Sequence, residues 1–154
     1  LHTILQAKVP EALPLLDELV KILTPNPREI VEAEKRSRSV VICGIPEGES
    51  NNSLSERALL TDKTVSVILD VLDIDVRPVE VYRLGRPVDD RPRLVKCVFP
   101  CHRPFFDVLK RASKLRSVTK FKDVFIRRSM TIEERKKDQQ LRAEARELNR
   151  INHN

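Results

Sequence analysis

Short β-branched runs alternate along the chain with stretches of helical spacing, and their order predicts the elements. Val40-Val-Ile-Cys-Gly-Ile-Pro46 is an apolar run closed by glycine and proline, which predicts a strand. The polar stretch 47–60, with Gly48, Ser50, Asn51, Asn52 and Ser53, predicts a long loop. From Thr61 to Leu72 the apolar residues Val65, Ile68, Leu69 and Leu72 recur on one helical face. Val79 to Leu84 and Leu94 to Phe99 are expected as two further strands, joined by the Gly85–Pro92 loop. In the third strand, period-two alternation turns Val95, Cys97 and Phe99 inward and Leu94 and Lys96 outward. Pro104 opens a second helix whose inner face would carry Phe105, Leu109, Ala112 and Leu115, and Val124-Phe-Ile126 supplies a fourth strand.

The order β-α-β-β-α-β predicts an α+β fold of the ferredoxin-like or RRM-like kind: a four-stranded antiparallel sheet with both helices on one face and the other face open. This domain is expected over residues 39–130. Residues 1–38 form an N-terminal helical extension. In it Leu16, Leu19, Val20 and Leu23 share a face between Pro14 and Pro25, and Asn26-Pro-Arg-Glu29 starts a second helix. The heptads are too few for a coiled coil by themselves. Residues 131–154 form a C-terminal helix capped by Ser129 or Thr131, where Thr131-Ile-Glu-Glu134 fits a capping box, and it continues through Leu141, Leu148 and Ile151. The chain begins at Leu1, not Met, as a piece of a longer protein would.

Charge adds a class of partner to this picture. The net charge is +6, but residues 39–75 carry two basic and seven acidic side chains, and residues 76–130 carry fifteen basic and five acidic. A basic concentration of that density fits a polyanion, above all nucleic acid. The three cysteines, Cys43, Cys97 and Cys101, are an odd number with no disulfide-framework spacing, so a reduced intracellular setting, cytoplasmic or nuclear, is expected. Cys97, Cys101 and His102 suggest zinc only weakly, since beyond Cys43 the chain offers only His2 and His153. A buried Cys97 is the better account, and no metal is expected. No apolar run reaches the 18 residues that would suggest a membrane span.

Two resemblances follow from the motifs. Val40-Val41-Ile42-Cys43-Gly44-Ile45 and Pro92-Arg93-Leu94-Val95-Lys96-Cys97-Val98-Phe99 resemble the first- and third-strand signatures of the RRM family. Val41, Leu94 and Lys96 stand where that family usually places stacking aromatics. More narrowly, the stretch from Glu34 to about Asn149 is similar to the RRM-like region of first-open-reading-frame proteins of non-LTR (LINE-type) retrotransposons. The resemblance rests on Arg36-Ser-Arg-Ser-Val-Val-Ile-Cys-Gly-Ile-Pro-Glu47, Val81-Tyr-Arg-Leu-Gly-Arg86, Arg91-Pro-Arg-Leu-Val-Lys-Cys-Val-Phe99, Val108-Leu-Lys-Arg-Ala-Ser-Lys114 and Ile126-Arg-Arg-Ser-Met-Thr-Ile-Glu-Glu-Arg135. It implies a non-catalytic protein that coats single-stranded RNA or DNA, acts as a nucleic-acid chaperone within a ribonucleoprotein, and relies on basic residues more than on stacking.

The candidate binding residues are Arg83, Arg86, Arg91 and Arg93 around the second-to-third-strand loop, Lys96 on the third strand, and Phe125, Arg127 and Arg128 on and after the fourth. Arginine's planar fork matches phosphate oxygens. Lys120 and Lys122 extend this track, while Tyr82 is ambiguous in its facing and Phe125 fits a core position equally well. Lys110, Arg111, Lys114 and Arg116 fit a solvated helix face, and the final helix looks self-paired.

No catalytic residues, cofactor or small-molecule substrate are expected. The chain has three glycines with no phosphate-cradling loop, and its histidines at 2, 102 and 153 are scattered. Acylphosphatases share the strand order but need an arginine in the first loop, and Gly44-Ile-Pro-Glu-Gly48 has none. The rival reading is a protein–protein interaction module docking through the acidic first-helix region, with a homo-oligomer as one form of it.

Overall fold

The computed structural model describes residues 2–152, so His153 lies outside the described residues. The chain divides into two units, Leu1–Glu34 and Lys35–Asn154. In the first, α1 (His2–Lys8) leads through a short 3₁₀ turn at Pro10–Ala12 into α2 (Leu13–Leu23). α3 (Pro27–Ser37) begins there and runs across the division. Asn26 starts α3 as its spacing predicts, its side-chain oxygen accepting from the Arg28 N–H at 3.0 Å. α1 was not foreseen: its seven residues carry neither a periodic face nor a buried side chain.

The second unit has the order β1 (Ser39–Cys43), α4 (Leu54–Val71), β2 (Glu80–Arg83), β3 (Val95–Val98), α5 (His102–Arg111), β4 (Phe125–Arg128) and α6 (Ile132–Asn152). The four strands form one sheet in the order β2-β3-β1-β4, and every neighbouring pair is antiparallel. This is an α+β architecture, as the alternation of apolar runs predicts. The unit begins at Lys35, not at residue 39, because the last turn of α3 is tied to the sheet. The Ser39 hydroxyl donates to the Lys35 carbonyl, the Arg38 guanidinium donates to the Phe99 carbonyl, and Lys35 pairs with Glu80 at 2.6 Å.

One sheet face carries Val40 and Ile42 from β1 with Val95 and Cys97 from β3. These pack with Val65, Ile68 and Leu69 of α4 and Phe105 and Val108 of α5 into one apolar core. Both helices therefore serve the same face. Phe99, just past β3, is fully buried in that core, and the inward set Val95, Cys97 and Phe99 matches the alternation argument. On α5 the buried positions are Pro104, Phe105 and Val108, with Leu109 only partly covered and Ala112 beyond the helix. Phe105 and, past the helix, Leu115 are buried as expected, and Val108 takes the inner position expected of Leu109.

α4 starts seven residues before the expected Thr61. Ser53 forms a capping box with Glu56: the Ser53 hydroxyl accepts from the Glu56 N–H at 3.2 Å, and the Glu56 carboxylate accepts from the Ser53 N–H at 2.6 Å. The same device starts α6, where Thr131 and Glu134 exchange bonds of 2.8 and 3.1 Å. At the end of β1, Gly44 has φ near +94°, and a Cβ there would lie 2.4 Å from the Asp123 carbonyl oxygen. Only glycine lets the loop before β4 close against β1 at that point.

Because Phe99 is enclosed and Leu94 is only partly buried, Phe99→Ala should destabilise the fold by about 3–5 kcal/mol and Leu94→Ala by much less. Urea denaturation of the two variants measures this, and a reversed ranking would contradict the register.

Candidate nucleic-acid interface

The strand register sorts the basic residues onto two faces. Tyr82 pairs with Lys96, Lys96 with Val41, and Val41 with Arg127. These four residues form a row across all four strands, on the face away from α4 and α5. Cys43 pairs with Phe125 in the next outward row, as does Ser39 with Val98 and Val98 with Glu80 on the other side. Phe125 and Arg127 thus lie outward, as expected when Val124 and Ile126 turn toward the core. Tyr82, left ambiguous by the sequence, also faces outward, because Val81 packs on the core beside Cys97.

This outer face is not bare. Ser39, Val41 and Val98 on it are buried, Val41 to 2% exposure. Lys35 reaches from the end of α3 to Glu80 on β2, and its ammonium lies 5.9 Å from the Tyr82 ring centre. On the opposite side Arg127 lies near Arg135, Asp138 and Arg142 of α6. Burial, and then the charge of Arg135, hold the Arg127 guanidinium below its ordinary range. What remains accessible is a strip bounded by two aromatic rings, Tyr82 at 38% exposure and Phe125 at 56%. Lys96 is partly exposed between them and forms no ion pair among the described residues.

Arg83 must be corrected. By register it shares the helix-facing side with Val81 and Val95, and its side chain is only 9% exposed. One terminal nitrogen donates to the carbonyls of Ile45 and Arg93 at 2.7 and 3.1 Å. The other donates to the Pro46 carbonyl at 2.7 Å and the Thr61 hydroxyl at 3.2 Å. Burial holds this guanidinium below its ordinary range. Four internal acceptors occupy it, so it is a brace and not a hand held out to a phosphate.

Arg93 is likewise engaged. Its Nε and Nη2 form a two-pronged pair with the Glu47 carboxylate at 2.9 and 3.1 Å, and its backbone N–H donates to the same carboxylate at 2.9 Å. Arg128 also departs from expectation: its register partner is Val40, a core residue, so it leaves the face that carries Arg127 and lies 3.8 Å from Glu134.

The loop cations keep their freedom. Arg86 and Arg91 are exposed and form no ion pair among the described residues, despite the adjacent Asp89 and Asp90. Lys120 and Lys122 are exposed in the segment before β4, Lys120 resting 5.5 Å from the Phe121 ring centre. The antiparallel register puts the end of β1, the β2–β3 loop and the start of β4 at one end of the sheet, the end where Phe125 lies.

Cys97 is buried, which pushes its thiol up to about 12, so it is a packing group with neither nucleophile nor ligand character. Cys43 and Cys101 are exposed. No group of three metal-ligating side chains, and no helix long and apolar enough to cross a membrane, occurs among the described residues.

No protein-family model matches the chain, and no curated protein matches it.

The Arg93 side-chain bonds, reinforced by its backbone N–H and the charge of Arg83, hold the Glu47 carboxyl down at about 2 against an ordinary 4.5. A carboxylate with a depressed folded-state value stabilises fully above its ordinary range, and that stability is lost as the pH falls toward 2. Wild-type protein should therefore lose about 1–3 kcal/mol of stability between roughly pH 5 and pH 2 that Glu47→Gln does not lose. Denaturant titrations of both proteins across that range measure it, and parallel pH profiles would rule out the network.

Proposed function

We propose that this chain is a non-catalytic binder of single-stranded nucleic acid, RNA foremost. The strand would lie across the outer sheet face and the basic loops at the Phe125 end. The observation that carries the reading is the cross-strand row Tyr82–Lys96–Val41–Arg127 with Phe125 beside it, which combines two cations and two aromatic rings on a face that neither α4 nor α5 covers. The order β-α-β-β-α-β and the sheet order β2-β3-β1-β4 agree with an RRM-like, ferredoxin-like domain. With the motif resemblance described above, they support a role like that of LINE-type first-open-reading-frame proteins, which coat RNA and chaperone its pairing.

Charge and stacking divide the work in this reading. The central positions of β1 and β3 hold Val41 and Lys96, so no ring occupies the middle of the sheet. Rings stand at the outer strands, Tyr82 on β2 and Phe125 on β4, where each offers a face to one base. Lys96, Arg127, Arg86 and Arg91 then neutralise the backbone that runs between and beyond them. Phosphate contacts carry no sequence information, so broad specificity follows. The rival, a protein–protein module, draws on Leu59 and Leu60, which lie exposed on α4.

If those four cations each engage one phosphate, log affinity for a single strand should fall against log salt with a slope of about −2.8, at about −0.7 per phosphate. Phe125→Ala and Tyr82→Ala should each weaken binding by about 1–3 kcal/mol. Replacing Arg86 and Arg91 by glutamine should weaken all sequences alike. Fluorescence polarisation at several salt concentrations measures all three effects. No binding at low salt would overturn the proposal and leave the protein–protein module standing.

A further inference from the structure

Behind the free edge of β2, on the side of the sheet that α4 covers, lies a cavity of about 200 Å³. Its rim is apolar: Leu54 and Ala58 from α4, with Val81 and the edge residue Tyr82 from β2. Its floor is charged, with Arg57, Arg83 and Arg93 facing a single acid, Glu47. Three guanidiniums against one carboxylate leave an excess of two positive charges around a half-open recess.

The donors are unequally used. Arg83 has given both terminal nitrogens to internal acceptors, and Arg93 has given Nε and Nη2 to Glu47. Arg57 donates through Nη2 to the Ser50 carbonyl at 2.8 Å, while its Nε is shut off from solvent with no acceptor. A buried donor without a partner is a cost that an incoming acceptor removes. Arg57 also lines the wider groove between the β1–α4 and β2–β3 loops, so it stands between cavity and surface.

We propose that this cavity is a phosphomonoester pocket: the doubly negative terminal phosphate of a nucleotide meets Arg57 and the free side of Arg93, and its base or sugar rests against Leu54 and Tyr82. A monoester suits the site better than a phosphodiester because its two negative charges match the excess of two. Tyr82 belongs both to the cavity rim and to the outer row with Lys96, so a strand crossing the outer face reaches the pocket by turning its end around the β2 edge. The ligand is either a free nucleoside monophosphate or the phosphorylated end of a strand. The second case rests on the reading of the outer face given above.

The test uses the full chain and four probes: adenosine 5′-monophosphate, adenosine, and one single-stranded oligonucleotide with and without a 5′-phosphate. Adenosine 5′-monophosphate should bind saturably in calorimetry where adenosine does not. The phosphorylated strand should bind about tenfold or more tightly than its hydroxyl counterpart. Arg57→Gln should abolish both differences while leaving the hydroxyl strand's affinity unchanged. Leu54→Glu does the same at a position 82% exposed, where the fold is indifferent to the change. Monophosphate binding without any gain for the phosphorylated strand assigns the pocket to free nucleotides. Monophosphate binding with no strand binding at all removes the outer-face reading and keeps the pocket. Equal strand affinities with no monophosphate binding, or differences that survive both variants, overturn the pocket.

Discussion

A guanidinium taken out of water must find acceptors for its donors, and Arg83 finds four in three different parts of the chain. It joins the end of β2 to the carbonyls of Ile45 and Pro46 after β1, to the Arg93 carbonyl before β3, and to Thr61 on α4. Glu47 completes the arrangement by holding Arg93 with both carboxylate oxygens. The sheet end from which the β1–α4 and β2–β3 loops emerge is thus fixed by polar contacts, while the apolar core fixes the middle. Leaving such a group buried without its partners costs several kcal/mol, so these loops have little choice of position.

That constraint separates bracing arginines from available ones. Arg83 and Arg93 are held inward with Glu47, and Arg86 and Arg91, in the same loop, are left exposed. On the outer face the same division holds between β4 neighbours: Arg127 lies in the row with Lys96, and Arg128 turns to the other side toward Glu134. The affinity expected for a polyanion therefore comes from fewer cations than the charge of residues 76–130 suggests, and the rings at the two outer strands acquire a larger share.

Much of this was legible in the residues. The β-branched runs gave the strands, and alternation gave the inward set Val95, Cys97 and Phe99; it put Phe125 and Arg127 outward only if Val124 and Ile126 were core, and left a core Phe125 equally open. The capping box at Thr131 located the start of α6. Ser53 and Glu56 form the same signature three residues apart, which was available in the sequence and would have moved the start of α4 back from Thr61. Alternation likewise had the answer for Tyr82, since Val79 and Val81 alternate with Glu80 and Tyr82, and the same period puts Arg83 inward. Counting that arginine as a surface charge ignored the period. The crossing of Lys35 to Glu80 on the outer face was not legible, because it pairs residues 45 positions apart, which no local pattern encodes.

The central claim is that a single strand lies on the outer face, and backbone amide shifts of labelled protein during titration with single-stranded RNA at low salt test it most directly. The account predicts perturbation concentrated at Tyr82, Lys96, Phe125 and Arg127, extending to Arg86 and Arg91, with the amides of Phe105, Val108 and Lys110 on α5 unmoved. Shifts confined to α4 and α5, with that row silent, would contradict it.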